Sequence, residues 1–183
     1  MYPKKDKDDC LIFKDYPEFK PNLTPREIFQ AGSFGLTYWR PIHSGVTGKN
    51  YKNMHKKYPF LKNIPDSKMT LHFSEYDKSA NKYKVKVGST LIFWEEKNWI
   101  RPRNVYGWME WYCSFYSGIR GPDDEWQIGR WLKIAGPKGR FKRNLINQIK
   151  KAEKKWDDYS ISPAIRQTLL HWAFELTAED LKN

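Results

Sequence analysis

Ten lysines and arginines fall between Arg130 and Lys155, against a single acid, Glu153. These 26 residues hold +9 of the chain's formal +12. The block is more than a charged tail, because an apolar stripe runs through it. Phe141, Leu145, Ile146, Ile149 and Ala152 recur at helical spacing, and Trp156 extends the row. Arg140, Arg143, Asn147, Lys151 and Lys154 form a second, polar stripe. A helix over 139–155 is therefore predicted, with one face anchored in a core and another presenting cations and an amide. A fold that accepts such self-repulsion usually meets something anionic. Nucleic acid is the foremost class of partner. The plain alternatives are a solvated helix face or an acidic protein partner.

The rest of the chain sets the class. At 183 residues it is read as one domain, 1–183, long enough to bury a core. Only 39% of residues are apolar, but nine Trp, eleven Tyr and ten Phe compensate, since each ring buries a large area. No apolar run reaches the roughly 18 residues of a membrane span, so no membrane association is expected. The start, MYPKKDKDDC, lacks the apolar stretch of a secretory signal. Cys10 and Cys113 do not make a disulfide framework, which fits a reducing, intracellular setting, cytoplasmic or nuclear.

Residues 1–22 read as an extended arm, pinned by Leu11, Ile12, Phe13 and Tyr16. Thr24 to Glu27 is a capping box with Pro25 at the first helical position, and Gly32 ends that short helix. Residues 23–105 read as an irregular, mixed half. Leu71 and Phe73, then Tyr83, Val85 and Val87, alternate with polar residues across Asp77–Asn81 and predict a small hairpin there. Ser89–Trp99 looks helical. From 106 to 183 the reading is helical: Trp108, Trp111, Tyr112 and Phe115 share a face, Pro122 opens the next helix, and Ser162 with Pro163 caps the last long one. The fold class is mainly α, with five to six helices and one small β-hairpin.

Lys138, Gly139, Arg140, Lys142, Arg143, Asn147, Lys150, Lys151 and Lys154 are the candidate nucleic-acid contacts of the basic helix. Arg40, Lys49 and Lys52 extend the patch. Gly136 to Gly139 precedes that helix, and free amides there suit a phosphate; a plain interhelical turn is the alternative. Tyr38 and Trp39 beside Arg40 suit base stacking or core packing equally, with Trp39 expected buried and Arg40 exposed or paired. Asp123, Asp124 and Glu125 are candidate acids for a nucleic-acid-processing enzyme of base-excision or lyase type. Their plainer role is to complement the helix dipole and to pair with Arg120 or Arg130. His171 is a candidate base, more simply a satisfied histidine. Phosphate-loop, dinucleotide and nucleophile-elbow motifs are missing, and no His/Cys set has ligand spacing. No metal or cofactor is expected.

The strings TPREIFQAGSFGLTYWRPI, YKVKVGSTLIFWEEKNWI, YGWMEWYCSFYSGIR, DDEWQIGRW, GPKGRFKRNLI and SPAIRQTLLHWAFELT together resemble an uncharacterised Trp-rich basic family of large eukaryotic DNA viruses, algae and fungi. The resemblance spans about 15–177. It implies no catalytic residue, and an intracellular, virion or viral-factory setting beside a DNA genome. Where that family has Gly-Gly after the Ser-Phe, this chain has Gly35 followed by Leu36. The expected function is sequence-tolerant binding of nucleic acid, duplex DNA rather than RNA. A processing enzyme and a structural virion- or chromatin-associated protein are the alternatives.

Overall fold

Six α-helices, one two-stranded antiparallel sheet and a series of 3-10 turns make up residues 2–182, the part described by the computed structural model. This is the mainly α architecture that the sequence predicts, with the long helices in the second half. Helix α1 (Pro25–Ala31) starts as its capping box dictates. The Thr24 hydroxyl accepts the Glu27 N–H at 3.2 Å, and the Glu27 carboxylate accepts the Thr24 N–H at 2.7 Å. It stops at Gly32, whose φ of +99° suits glycine, and where a Cβ would sit 2.2 Å from the Ala80 carbonyl oxygen.

The hairpin is not where alternation places it. Strands β1 (Ile42–Ser44) and β2 (Lys49–Tyr51) pair instead, with Ile42 opposite Tyr51 and Ser44 opposite Lys49. Residues 71–87 are held in 3-10 turns by side chains that compete with strand pairing. Asp77 accepts the Ser79 N–H. The fully buried Asn81 accepts the Gly35 N–H at 2.8 Å and donates to the Tyr76 hydroxyl and the Val85 carbonyl. The alternating apolar residues are therefore distributed around one buried amide.

The N-terminal arm is pinned more deeply than its composition suggests. Leu11 and Phe13 are buried and Tyr16 is half-buried, whereas Ile12 is 48% exposed. Phe19 is fully buried, with ring centroids of Trp108, Trp111, Tyr112, Phe115 and Trp131 5.1–6.2 Å away. Asn22 then clamps the far end of the chain. Its amide donates to the Glu175 carbonyl at 2.7 Å and accepts the Glu175 N–H at 2.8 Å.

Helix α2 (Leu91–Glu96), inside the predicted 89–99, buries none of its residues, while α3 (Trp108–Tyr116) buries eight of nine and forms the central rod of the fold. Helix α4 (Asp124–Ile134) returns across it, with Trp131 buried and its indole N–H given to the Trp172 carbonyl. Helix α5 (Arg140–Lys151) is the basic helix, and it ends four residues before the predicted end. Its stripe buries Leu145 and Ile149, but Ala152 is exposed, and Glu153 turns the chain at φ +54°. The return is held by the buried Arg166, which donates to the carbonyls of Trp156, Asp158 and Ile161. Helix α6 (Pro163–His171) begins at its proline, but the Ser162 hydroxyl makes no cap and bonds to Gln148 instead. Leu169, Leu170, Ala173 and Leu176 face inward as expected, with Ile165 half-buried. Among the described residues no helix is long and apolar enough to cross a membrane.

Candidate nucleic-acid interface

The basic helix displays its cations as its polar stripe predicts. Arg140, Arg143, Asn147, Lys151 and Lys154 are all exposed, as is Lys138 before it. Among the described residues none of these cations forms an ion pair. Lys150 is exposed near the C-terminal end. Lys142 differs: its ammonium meets Asp180 at 2.6 Å with both side chains about 15% exposed, so its charge is spent on docking the 179–181 turn. Gly139 is also spent. It is buried, donates its N–H to the Gly136 carbonyl at 2.8 Å, and packs so closely that a Cβ would meet the Ile134 carbonyl at 2.5 Å. The glycine turn is thus a close junction of α4 and α5, and Gly139 offers its amide to no phosphate.

That junction has a consequence the charge count hides. It sets the last turns of α4 beside the first turn of α5, so Arg130, Lys133 and Arg140 line one cavity of about 550 Å³. Arg40 reaches it from the other side, donating to the Thr37 carbonyl at 3.1 Å and lying 5.1 Å over the Phe73 ring. Trp39 is buried beneath, as expected. The cavity has four cations and no carboxylate on its walls. Its remaining surface is largely aromatic. Trp108 and Tyr106 come from α3 and its approach, Phe73 and Tyr76 from the 3-10 turns, and Trp94 and Trp99 from α2 and the residues after it. Trp172 stacks on Trp108 at 4.3 Å.

Arg130 is the most exposing of these cations about what the cavity lacks. Its guanidinium lies 4.8–5.4 Å over Trp126, Trp99 and Trp172 and, among the described residues, makes one hydrogen bond, to the Gln127 side chain at 3.0 Å. Burial, and then the neighbouring Arg101, push its pKa down to about 10. Arg101 lies over the same Trp126 ring at 4.3 Å. Two guanidinium groups on one indole, only Arg101 of them near a carboxylate (Asp123, 3.7 Å), leave a field that an anion would relieve.

His171 lines the same cavity. Its ring stacks on Phe34 at 3.9 Å, and its Nε2 accepts the Phe34 N–H at 3.0 Å. The Gln167 amide also donates to Nε2 at 3.0 Å; its oxygen is taken by the Tyr83 N–H and its nitrogen by the Gly32 carbonyl, which fixes its orientation. A nitrogen that accepts a backbone N–H carries no proton, so the proton of the neutral ring is on Nδ1. Burial pushes the His171 pKa down to about 3, and the ring is neutral at physiological pH. Among the described residues Nδ1 has no acceptor. The turn that places Phe34 is unusual: Phe34, Gly35 and Leu36 have φ of +55°, +54° and +69°. Leu36 thus holds a left-handed conformation that favours glycine, at a cost of about 1–2 kcal/mol.

The candidate acids lie elsewhere. Asp124 is buried; its carboxylate accepts the Trp111 indole N–H and the Gly121 N–H, both at 2.8 Å. The partner of Asp123 is Arg101, not Arg120 or Arg130, and Arg120 pairs with Asp15 at 2.6 Å. Glu125 is exposed. Asp123 and Asp124 line a second cavity, of about 600 Å³, on the other side of α3, with Glu110, Arg103 and Arg120. Lys49 and Lys52 are exposed around β2 and line neither cavity. No group of three or more His, Cys, Asp or Glu among the described residues is placed to hold a metal ion. Sequence reasoning missed the aromatic cavity. The available signal was the division of the basic block by Gly136 and Gly139, which folds its two ends together.

No family model, curated protein or solved structure matches the chain, so the resemblance of its Trp-rich strings is carried by those motifs alone.

Proposed function

We propose that this protein binds nucleic acid by seating one unpaired nucleotide in the aromatic cavity and running the adjoining strand along α5. One observation supports this above the others. Arg140 belongs at once to the cavity wall and to the head of the exposed cation stripe Arg140, Arg143, Asn147, Lys151 and Lys154. Rings suit a base, which stacks on any aromatic face. Unpaired guanidiniums suit the phosphates on either side. A rigid duplex satisfies only the stripe, so the favoured target moves from perfect duplex to single-stranded, bulged or flipped nucleotides. The cavity walls offer no carboxylate for base-excision chemistry, which leaves binding as the reading that the geometry supports best.

The test is fluorescence anisotropy of a labelled 12-mer as a single strand, as a perfect duplex and as a duplex with one bulged nucleotide. Single-stranded and bulged forms should bind at least tenfold more tightly than the perfect duplex. If about five phosphates are neutralised, log K should fall with log salt at a slope near −3.5 for the single strand. Affinity independent of salt, or left intact in the double variant Arg140→Glu, Arg143→Glu, overturns the proposal. Retained binding to an acidic protein with none to nucleic acid assigns the stripe to the alternative partner.

A further inference from the structure

We infer that the cavity selects bases by their carbonyl groups, with the Nδ1–H of His171 as the donor that reads them; this rests on the nucleotide-binding reading above. The charged groups offered to an occupant are one-sided. Arg40, Arg130, Lys133 and Arg140 only donate, and the walls hold no carboxylate to accept. His171 is donor-only toward the cavity because its acceptor nitrogen is filled from behind by Phe34 and Gln167. The orientation is enforced by a backbone amide: tautomer exchange would leave the Phe34 N–H facing another N–H, and a ring flip would leave it facing a C–H.

Arg130 and His171 flank Trp172, one by its guanidinium 5.2 Å above that ring and the other as its neighbour in the chain. A base lying against this wall meets donors on its edge. The O6 and N7 atoms of guanine both accept, whereas adenine presents an N6 amino group beside N7. The amino group would face a donor there, and the side chains on the walls would offer its hydrogens only uncharged hydroxyls such as that of Ser89. Uracil and cytosine differ in the same way at position 4. The cavity is thus built for keto bases, and guanine matches it best by combining two adjacent acceptors with a large stacking face.

The experiment is quenching of the intrinsic tryptophan fluorescence of the full chain by GMP, IMP, AMP, UMP and CMP, with ribose 5-phosphate as the phosphate-only control. GMP and IMP should bind about tenfold or more tightly than AMP, and UMP more tightly than CMP. IMP differs from AMP at the purine edge alone, so wild-type protein suffices for the central comparison. Two variants then locate the reader. His171→Gln keeps an acceptor where Nε2 stood and loses the Nδ1 donor; it should bind IMP and AMP alike. His171→Asn places an amide N–H near the position of Nδ1 and should retain the preference. Equal affinity of the wild-type protein for all five nucleotides overturns base selection and leaves the nucleotide cavity standing. A preference unchanged in His171→Gln overturns the role of His171. No binding of any nucleotide overturns both this inference and the proposed function.

Discussion

Two cavities of similar size lie on opposite sides of α3, about 600 and 550 Å³, and they treat charge in opposite ways. The first mixes signs. Asp124 is fixed by an indole and a backbone amide, Asp123 by Arg101, and Arg120 by Asp15. These three charges are answered within the protein, and removing one would leave its partner stranded. The second cavity has four cations, no acid and a buried neutral histidine. Among the described residues its four cations have no carboxylate partner; Arg40 and Arg130 are held only by neutral acceptors and aromatic rings. A concave surface becomes a binding site less by its volume than by what it leaves unsatisfied.

The sharpest way to break this contrast is to remove one charge from each side. Asp124→Ala strands a buried indole donor and a half-buried backbone amide and should cost about 2–4 kcal/mol, read as a fall in urea midpoint. Nucleic-acid affinity of the folded protein should be unchanged. Arg130→Leu is the mirror case. It should lower oligonucleotide affinity about ten- to hundredfold, while the urea midpoint holds or rises, since a desolvated guanidinium with no ionic partner is lost. A large destabilisation by Arg130→Leu would show that this charge is structural and erase the distinction.

The next test uses pH. Glu110 faces the first cavity, accepts the Tyr106 N–H at 3.0 Å, and has its pKa raised from 4.5 to about 7 by burial. The native state therefore holds a proton that the unfolded chain has released between pH 4.5 and 7, so this group lowers stability as pH rises through that window. His171 works the other way. Between pH 3 and 6.5 the unfolded imidazole is protonated and the native one is not, so its contribution to stability falls as pH drops. Glu110→Gln should keep the Tyr106 bond and gain on the order of 2 kcal/mol at pH 8, with no gain at pH 4. Chemical denaturation at the two pH values checks this. The smallest expected effect is that of Leu36→Gly. Relief of a left-handed leucine, less the backbone entropy of glycine, should stabilise by about 1 kcal/mol in thermal unfolding, without altering binding.

How far the molecule is legible in its sequence depends on the range of the interactions involved. The capping box at Thr24, the aromatic face of Trp108 to Phe115 and the two stripes of α5 are local patterns, and each appears in the structure where periodicity places it, the stripes as far as Lys151. The hairpin was misplaced because Asn81 captures the Gly35 amide 46 residues away, which alternation cannot foresee. Lys142 reads as one more surface cation until Asp180 arrives from the far end of the chain. The cavity was hidden for the same reason. Its walls come from residues between 34 and 172, and only folding shows that Arg40, Arg130 and Arg140 converge without an acid among them.

Asn22 and Glu175 are 153 residues apart, and their reciprocal amide bonds close the structure around Phe19. In the order of synthesis, Phe19 precedes the rings of α3 and α4 that enclose it, a set complete only after 131, and its seal comes only after 175. Contacts of such separation carry a large loop-closure cost and slow the search for the native state. Until that later segment is made, the apolar residues of the arm remain unburied. The molecule thus acquires its stability late and all at once, and a truncation near its C-terminus would undo the packing of its beginning.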